Sequence, residues 1–132
     1  MKREIKFRAW DKVQECYLYD VQGAYDTLSG CVKYENGENA DYDEECFGSF
    51  LDNEQYIVEQ YTGVHDNNGK PIYEGDIVKV VYQYWGQLGN RYEVKFNQGT
   101  FCVKYSLLSE ISQSTLVIGN IYENPELLEA EK

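Results

Sequence analysis

Apolar and polar residues alternate in three successive segments of the C-terminal half, and a period of two residues is typical of β-strands. The first segment covers residues 76–84, and turns containing Gly and Asn separate it from segments at residues 92–96 and 101–105. The alternation predicts a three-stranded meander with one buried face. The side chains expected on that face are Val78, Val80, Tyr82, Tyr84, Tyr92, Val94, Phe96, Phe101, Val103 and Tyr105.

The residues after the meander predict an irregular connection, one more strand and a short helix. Residues 106–114 are mostly polar without a clear period, so no regular element is expected there. The apolar run at residues 116–118 predicts a strand that is buried on both faces. Asn124 is a favourable N-cap residue and Pro125 suits the first helical position, which indicates a short helix carrying two leucines.

Alternation near the N-terminus predicts a β-hairpin with a basic outer face. Lys6, Arg8 and Trp10 are expected to face outward, because they alternate with apolar residues at positions 5, 7 and 9. A turn at residues 11–12 leads to a second strand predicted at residues 15–19. Further strands are predicted at residues 28–34 and 55–62, with a turn at residues 35–39 and a short helical turn at residues 46–51 between them.

Turn-forming residues are concentrated between residues 60 and 78. Asp66, Asn67, Asn68 and Gly69 follow one another there, and Pro71 comes two residues later. Gly and Asn accept the positive φ that tight turns require, and Pro presets φ for a turn. We therefore expect a joint between two parts of the chain. Residues 1–60 are predicted to form an N-terminal β-hairpin and acidic segment packed on a barrel, which residues 61–132 form together with a C-terminal helical turn.

The same stretch carries a family resemblance. The residues concerned are Gln60-Tyr61-Thr62-Gly63, Asp66, Asn68-Gly69-Lys70 and Ile72-Tyr73-Glu74-Gly75-Asp76-Ile77-Val78. Residues 3–11 and 117–128 fit the same pattern, whereas residues 12–54 show little of it, and together these segments resemble the YopX family of phage and prophage proteins. The resemblance implies a mainly β fold with a small SH3-like β-barrel, an N-terminal β-rich extension and a short C-terminal helix. It implies no established activity, so no catalytic residue is carried over.

Charge is distributed unevenly along the chain, whose net charge is −11. Residues 34–69 hold ten Asp and Glu residues and no Lys or Arg, while the rest of the chain holds 13 acids and 12 bases. Such an acidic block favours solubility and repels the phosphate backbone of nucleic acids. Binding of nucleic acid through the bulk of the surface is therefore disfavoured.

Cysteine and carboxylate spacing predicts no metal site and no cofactor. Cys16, Cys31, Cys46 and Cys102 include no CxxC pair, which favours reduced thiols in a cytosolic protein over disulfides or zinc ligands. The carboxylates at residues 41–45 fit a calcium site only superficially, because the sixth position of an EF-hand template is Cys and the twelfth is Asp. Whether the acidic block at residues 34–69 binds a cation stays open.

Motifs for catalysis and for membrane insertion are not found, so we expect a non-enzymatic protein in the cytoplasm of the host cell. The chain contains no apolar run of about 18 residues and no signal-peptide pattern. It also contains no GxSxG, Walker or GxGxxG motif. Glu74 and Asp76 flank Gly75 as a conceivable catalytic pair, but Asp76 is expected to bond nearby backbone N–H groups at the start of a strand.

Aromatic residues around the predicted turn at residues 86–90 are the main candidates for partner contacts. Tyr and Trp are common at interfaces because they combine a large apolar surface with a polar group. Tyr84 and Trp85 are the predicted contacts, with Trp85 as the exposed anchor. The leading hypothesis is a protein-binding or self-assembling module that forms a homo-oligomer or binds an unidentified protein.

Two alternative functions stay open at this point. In the first, Lys6, Arg8 and Trp10 form the contact surface of a nucleic-acid-associated phage regulator, since an aromatic residue beside cations can stack on bases. In the second, the acidic residues at positions 35–59 mimic DNA and capture a basic host protein.

Overall fold

β-Strands dominate the structure, a computed structural model that describes residues 4–24, 32–40 and 46–129. The prediction of a mainly β protein is confirmed, with several antiparallel sheets and three short α-helices in the described ranges. The chain divides into two compact units, Met1–Gln60 and Tyr61–Lys132. Each unit has its own apolar core.

The first unit is an antiparallel arrangement around its first strand. Strand β1 (Phe7–Asp11) pairs with β2 (Cys16–Tyr19) on one side and with β4 (Tyr56–His65) on the other. Strand β3 (Lys33–Tyr34) pairs with β2. The predicted N-terminal hairpin and the strand predicted at residues 55–62 are therefore confirmed. Of the strand predicted at residues 28–34, residues 28–31 lie outside the described part of the chain.

One face of this unit packs against short helical segments. Helix α1 (Phe47–Asp52) confirms the predicted helical turn, and a 3₁₀ turn covers Val21–Gly23. Phe50 of α1 is fully buried, and its ring lies 4.8 Å from the ring of Tyr56. The buried apolar residues of this core are Ala9, Leu18, Val21, Ala24, Val32, Phe50 and Tyr56.

The predicted basic outer face of β1 is wrong for two of its three residues. Arg8 is 3% exposed and Trp10 is 8% exposed, while Ala9 between them is fully buried. β1 is paired on both edges and is therefore a central strand. Packing also covers both of its faces, because consecutive residues of the strand are buried. Ile5, which was expected to face inward, precedes β1 and is exposed.

The second unit begins in the middle of β4. The C-terminal half of β4 pairs with β5 (Pro71–Tyr73). Strand β6 (Asp76–Val80) lies between β10 (Thr115–Asn120) and β7 (Arg91–Glu93). A separate hairpin contains β8 (Lys95–Asn97) and β9 (Thr100–Cys102), and helices α2 (Leu108–Ile111) and α3 (Glu126–Glu129) complete the unit.

The core of the second unit contains half of the ten residues predicted for it, and two more, Tyr84 and Phe101, are half-buried and pack against it. The buried apolar residues are Ile72, Val78, Val80, Tyr92, Val94, Val103, Leu108 and Ile111. Tyr82, Phe96 and Tyr105 were expected in this core and are exposed. Phe96 lies opposite Phe101, one pair before the Gln98–Gly99 turn, so it is beyond the last core position of its strand.

Three further predictions for this unit need correction. The first meander strand ends at Val80 instead of residue 84, because the N–H groups of Val81 and Tyr82 donate to the Ser114 carbonyl at 2.8 and 3.2 Å. Residues 106–114 contain α2 and a 3₁₀ turn rather than an irregular connection. Ile118 was expected in a strand buried on both faces, but it lies where the pairing of β10 with β6 shifts register, and it is exposed.

Candidate functional site

The connection between β6 and β7, residues 81–90, contains a tight turn at residues 84–87 that carries Trp85. The Gln87 N–H donates to the Tyr84 carbonyl at 2.9 Å. The two central residues both have positive φ, 48° at Trp85 and 75° at Gly86. Positive φ at both central positions is the mark of a type I′ turn. Trp85 thus occupies a left-handed conformation that ordinarily favours Gly, Asn or Asp.

A second turn follows at once and closes the connection against the strands. The Asn90 N–H donates to the Gln87 carbonyl at 2.9 Å, and Gly89 has a φ of 90°. Val80 then bonds the connection at both of its backbone groups, accepting from Gly89 N–H and donating to the Asn90 carbonyl, each at 2.8 Å. These backbone hydrogen bonds give the connection a defined conformation, so it presents its side chains in fixed directions.

Side-chain hydrogen bonds to the buried Tyr92 also hold the same connection. The Tyr92 hydroxyl donates to Gln87 Oε1 and accepts from Asn90 Nδ2, both at 2.9 Å. Tyr92 itself is buried in the core of the unit. Tyr84 is half-buried and packs against that core. The two turns are thus fixed to the folded unit rather than projecting from it as a free loop.

Trp85 is the most exposed large apolar residue of the described chain, at 85% exposure. Its left-handed backbone costs about 1 kcal/mol relative to a residue in an ordinary conformation. Its indole contributes little to the core in return, because it remains in solvent. A residue with these two disadvantages for folding, held on a rigid turn, is well suited to be an anchor for a binding partner.

Among the other exposed large apolar or aromatic residues are Tyr82 and Leu88, on the same connection, and Tyr105. We call these three residues and Trp85 the Trp85 surface. The Tyr105 ring meets the Tyr92 ring edge to face, with centroids 6.1 Å apart, and so lies beside the side chain that supports the turns. All four residues are more than half exposed. Sequence reasoning found Trp85 but placed Tyr82 and Tyr105 in the core.

The N-terminal contact residues do not form the predicted surface. Lys6 is half-buried, with its Nζ 3.7 Å from Glu4 Oε2. Arg8 and Trp10 are buried, so two of the three contacts of the nucleic-acid hypothesis are withdrawn from solvent. Asp43, Glu44 and Glu45, the residues on which the decoy hypothesis depends most, lie outside the described residues.

Arg8 belongs instead to a buried polar cluster that the sequence did not reveal. Its Nε donates to Glu59 Oε1 at 2.9 Å, and the Tyr17 hydroxyl donates to the same oxygen at 2.9 Å. The guanidinium lies 4.1 Å from the centroid of the Tyr17 ring, and its Nη1 donates to the Tyr19 hydroxyl at 3.3 Å. Charge, hydrogen-bond and cation–π partners converge on one residue, which is what a buried Arg requires.

Two buried carboxylates in the second unit also have close polar partners. Asp66 is buried, and its carboxylate accepts from the N–H groups of Asn68, Lys70 and Val117 at 2.8–2.9 Å. Asp76 accepts from the Tyr73 N–H at 2.8 Å, which confirms the role predicted for it. Both carboxylates bind backbone donors, so their geometry is that of structural residues.

Ligand-binding features are sparse in the part of the chain that the structure describes. No group of three His, Cys, Asp or Glu side chains is placed to hold a metal ion within residues 4–24, 32–40 and 46–129. The carboxylates at residues 41–45, which were considered as calcium ligands and disfavoured, lie outside those ranges, as does Cys31. The other three cysteines are half-buried. A depression of about 120 Å³ in the second unit has no titratable group in its lining, which is Thr62, Val64, Thr100, Phe101, Leu108 and Ser109.

The helices of the structure are all short. Across the described ranges, none has the length and apolar character that crossing a membrane requires.

Comparison with known proteins places the chain in a family. Curated proteins gave no match. The crystal structure of protein EF1440 from Enterococcus faecalis is similar, with a TM-score of 0.63 and 28% sequence identity over 96% of this chain and 99% of that chain. The family model described as YopX protein matches residues 6–129, which include the turn-rich stretch at residues 60–78 and most of both terminal segments. The chain therefore belongs to the YopX family.

Proposed function

We propose that this protein is a non-enzymatic protein-binding module that self-associates through the Trp85 surface. The supporting observation is Trp85 itself, an 85% exposed indole in a left-handed conformation on a turn fixed by hydrogen bonds. A preorganised aromatic anchor loses little conformational entropy on binding. Asp66 and Asp76, the buried carboxylates of the same unit, bind backbone N–H groups, which supports a structural rather than a catalytic role for them.

The proposal includes an SH3-like barrel for residues 61–132 and a cytoplasmic setting in a cell that carries a phage or prophage. The order of the strands supports the barrel: β6 pairs with β7, the separate β8–β9 hairpin follows, and after a short helical connection β10 returns beside β6. In such a small β-barrel, connections between strands are the usual sites of recognition. Residues 81–90 are the longest connection between successive strands from β6 to β9.

Replacing Trp85 by Asn tests the proposal. Asn tolerates a left-handed conformation, so the melting temperature is expected to stay equal or rise, while removal of the indole weakens self-association at least about tenfold. The matched control is Gln98→Asn, because Gln98 also has a positive φ (52°) on an exposed turn but offers no aromatic side chain. Sedimentation velocity over a concentration series gives the association constant, and circular dichroism gives the melting temperature.

Two results would count against the proposal. A Trp85→Asn protein that folds and associates as the unmodified chain does would overturn the proposal. Loss of association in the Gln98→Asn control would also count against it, because the effect would then come from the backbone of an exposed turn and not from the indole.

A further inference from the structure

Two Asn-Gly pairs, Asn36-Gly37 and Asn68-Gly69, lie in hairpin turns of the same geometry. In the first turn, residues 34–38, the N–H of the fourth residue donates to the carbonyl of the first at 2.9 Å, and the N–H of the first donates to the carbonyl of the fifth at 2.8 Å. The second turn, residues 66–70, has the same two bonds at 3.0 and 2.9 Å. The Gly of each pair has a positive φ, 89° in the first turn and 84° in the second, which is typical of three-residue hairpin loops. The backbone geometry of the turns therefore does not distinguish the two pairs.

An Asn-Gly pair can lose ammonia without an enzyme, because the two reacting groups are neighbours in the chain. The Gly nitrogen gives up its proton and attacks Cγ of the Asn side chain, the Cγ–Nδ2 bond breaks, and Nδ2 leaves as ammonia after taking up a proton. Water then opens the resulting five-membered succinimide at one of its two carbonyl carbons, which gives either Asp or isoaspartate. A Cβ built at Gly37 or at Gly69 would have no atom within 4 Å, so both nitrogens have space to react.

The Asn36 side chain is already folded towards this reaction. Its Oδ1 accepts a hydrogen bond from the Glu38 N–H at 2.9 Å. The ring of atoms that this bond closes includes Asn36 Cγ and the Gly37 nitrogen, so the electrophilic carbon and the nucleophile are held near each other. The same N–H stabilises the negative charge that develops on Oδ1 when the nitrogen adds. Within the described part of the chain, the Asn68 side chain accepts no such bond.

The two turns also differ in what holds them closed. The Gly N–H must leave its carbonyl acceptor before its nitrogen can attack, so the turn has to open locally. Among the described residues, the hydrogen bonds of residues 36–38 stay within the first turn. The second turn is anchored from outside, because Asp66 and Asn67 are hydrogen-bonded to residues 113–117. Opening the second turn therefore breaks more bonds than opening the first.

We propose that Asn36 is a modification site of this protein, which attack by the Gly37 nitrogen converts to Asp and isoaspartate. Asn68, although it also precedes a Gly, is protected by its anchored turn. The conversion adds one negative charge at an exposed position. This inference does not depend on self-association through the Trp85 surface.

Isoaspartate at position 36 also changes the structure of the first turn. It adds one methylene carbon to the backbone of a loop whose length is fixed by the two bonds between residues 34 and 38. The bond from the Tyr34 N–H to the Glu38 carbonyl is then lost, and the end of strand β3 is loosened from β2. In this product the Tyr34 amide is expected to exchange its hydrogen faster, whereas Asn36→Gln, which cannot form the five-membered ring, should keep its protection through the same incubation.

Incubation of the folded, unmodified protein at mildly alkaline pH tests the proposal. Peptide mapping by mass spectrometry gives the converted fraction at each Asn, because a carboxyl group replaces the amide, and electron-transfer fragmentation separates Asp from isoaspartate. Position 36 is expected to convert at least about tenfold faster than position 68, since its turn opens more easily. The matched control is the same chain in guanidinium chloride, where neither turn is formed and the two positions should convert at similar rates.

Three results would overturn the proposal. Equal rates at positions 36 and 68 in the folded protein would show that the anchored turn gives no protection. Faster conversion at position 68 would reverse the assignment. An intact Asn36 in the folded protein, after the guanidinium sample has converted at both positions, would show that the first turn also prevents the reaction.

Discussion

At residue scale, Gly119 and Asn124 show a close contact that only a glycine permits. A Cβ built at Gly119 would lie 2.6 Å from Asn124 Oδ1 and 2.8 Å from its Cγ. Asn124 Oδ1 is already fixed, since it accepts from the Asn120 N–H. Asn120 in turn caps the following residues, with its Oδ1 accepting from the N–H groups of Tyr122 and Glu123. The segment that leads to α3 therefore depends on the absence of a side chain at position 119.

Replacing Gly119 by Ala is expected to lower the free energy of unfolding by about 1–3 kcal/mol, because the Asn124 side chain must move. Gly48→Ala is the matched control: its Cβ would meet nothing nearer than Cys46 Sγ at 3.8 Å. In helix α1 this control should gain about 0.5–1 kcal/mol, as Ala restricts the unfolded chain more than Gly. Urea denaturation measures both, and equal stability of Gly119→Ala and the unmodified chain would contradict the steric argument.

Sequence reasoning was most accurate for residues whose partners are near in the chain. Asp76 was predicted to bond backbone groups at a strand start, and its partner is three residues away. Arg8 was predicted to face solvent, but its partner Glu59 is 51 residues away. An alternating pattern cannot tell an outward polar residue from one whose charge is neutralised by a distant strand. The same limit explains why Glu59 was overlooked.

At element scale, the Asp66 carboxylate links the turn at residues 66–70 to strand β10. Asp66 Oδ1 accepts from Asn68 and Lys70 within the turn, and its Oδ2 accepts from the Val117 N–H of β10. The Asn67 N–H adds a bond to the Thr115 carbonyl at 2.9 Å. The turn-rich stretch thus acts as a connection between β4, β5 and β10, and Asp66 is its centre.

Replacing Asp66 by Ala is expected to cost about 3–5 kcal/mol, because three N–H groups lose a charged acceptor. Hydrogen exchange gives a local readout: the amides of Asn68, Lys70 and Val117 should exchange faster, whereas the Tyr73 amide, which donates to Asp76, should keep its protection.

The exposed acid Asp52 supplies the control for this change. Asp52→Ala should alter stability by no more than about 0.5 kcal/mol. An unchanged Val117 amide in Asp66→Ala would mean that the carboxylate does not hold β10, contrary to the geometry.

Turns were predicted more accurately than the ends of strands. The turn residues Asn36-Gly37 and Gln98-Gly99 adopt the turns expected of them, with positive φ at Gly37, Gln98 and Gly99. Strand ends were less predictable: β6 stops at Val80 because Ser114, 34 positions later in the chain, accepts the next two N–H groups. Turn chemistry is local, while the end of a strand depends on which distant segment binds its backbone.

At the scale of the whole molecule, charge is the dominant feature. The acidic block at residues 34–69 carries ten acids without a base, so like charges repel within the folded chain. Added salt screens that repulsion, since the Debye length falls from about 30 Å at 0.01 M to about 3 Å at 1 M. The acidic composition should therefore reduce the stability of the fold most at low ionic strength.

Raising the NaCl concentration from about 10 mM to about 500 mM is expected to increase the melting temperature by a few degrees through this screening. The control is the double variant Asp52→Asn with Glu54→Gln, which removes two exposed acids at the end of α1. It should melt higher at low salt and respond less to added salt. Differential scanning calorimetry at several salt concentrations measures both, and a melting temperature that falls with salt would show that attractive pairs outweigh the repulsion.

The sequence alone determined the mainly β character, the turns, the short helices α1 and α3, and the exposure of Trp85, because alternation and turn chemistry act over a few residues. Only the tertiary structure decided that β1 is a central strand, that Arg8 is buried against Glu59, and that Lys79 lies opposite Arg91 at the base of the Trp85 turn. The physical reason is that strand pairing joins segments far apart in the chain. A strand's own alternation indicates one buried face, but whether the other face is also covered depends on segments far away in the chain.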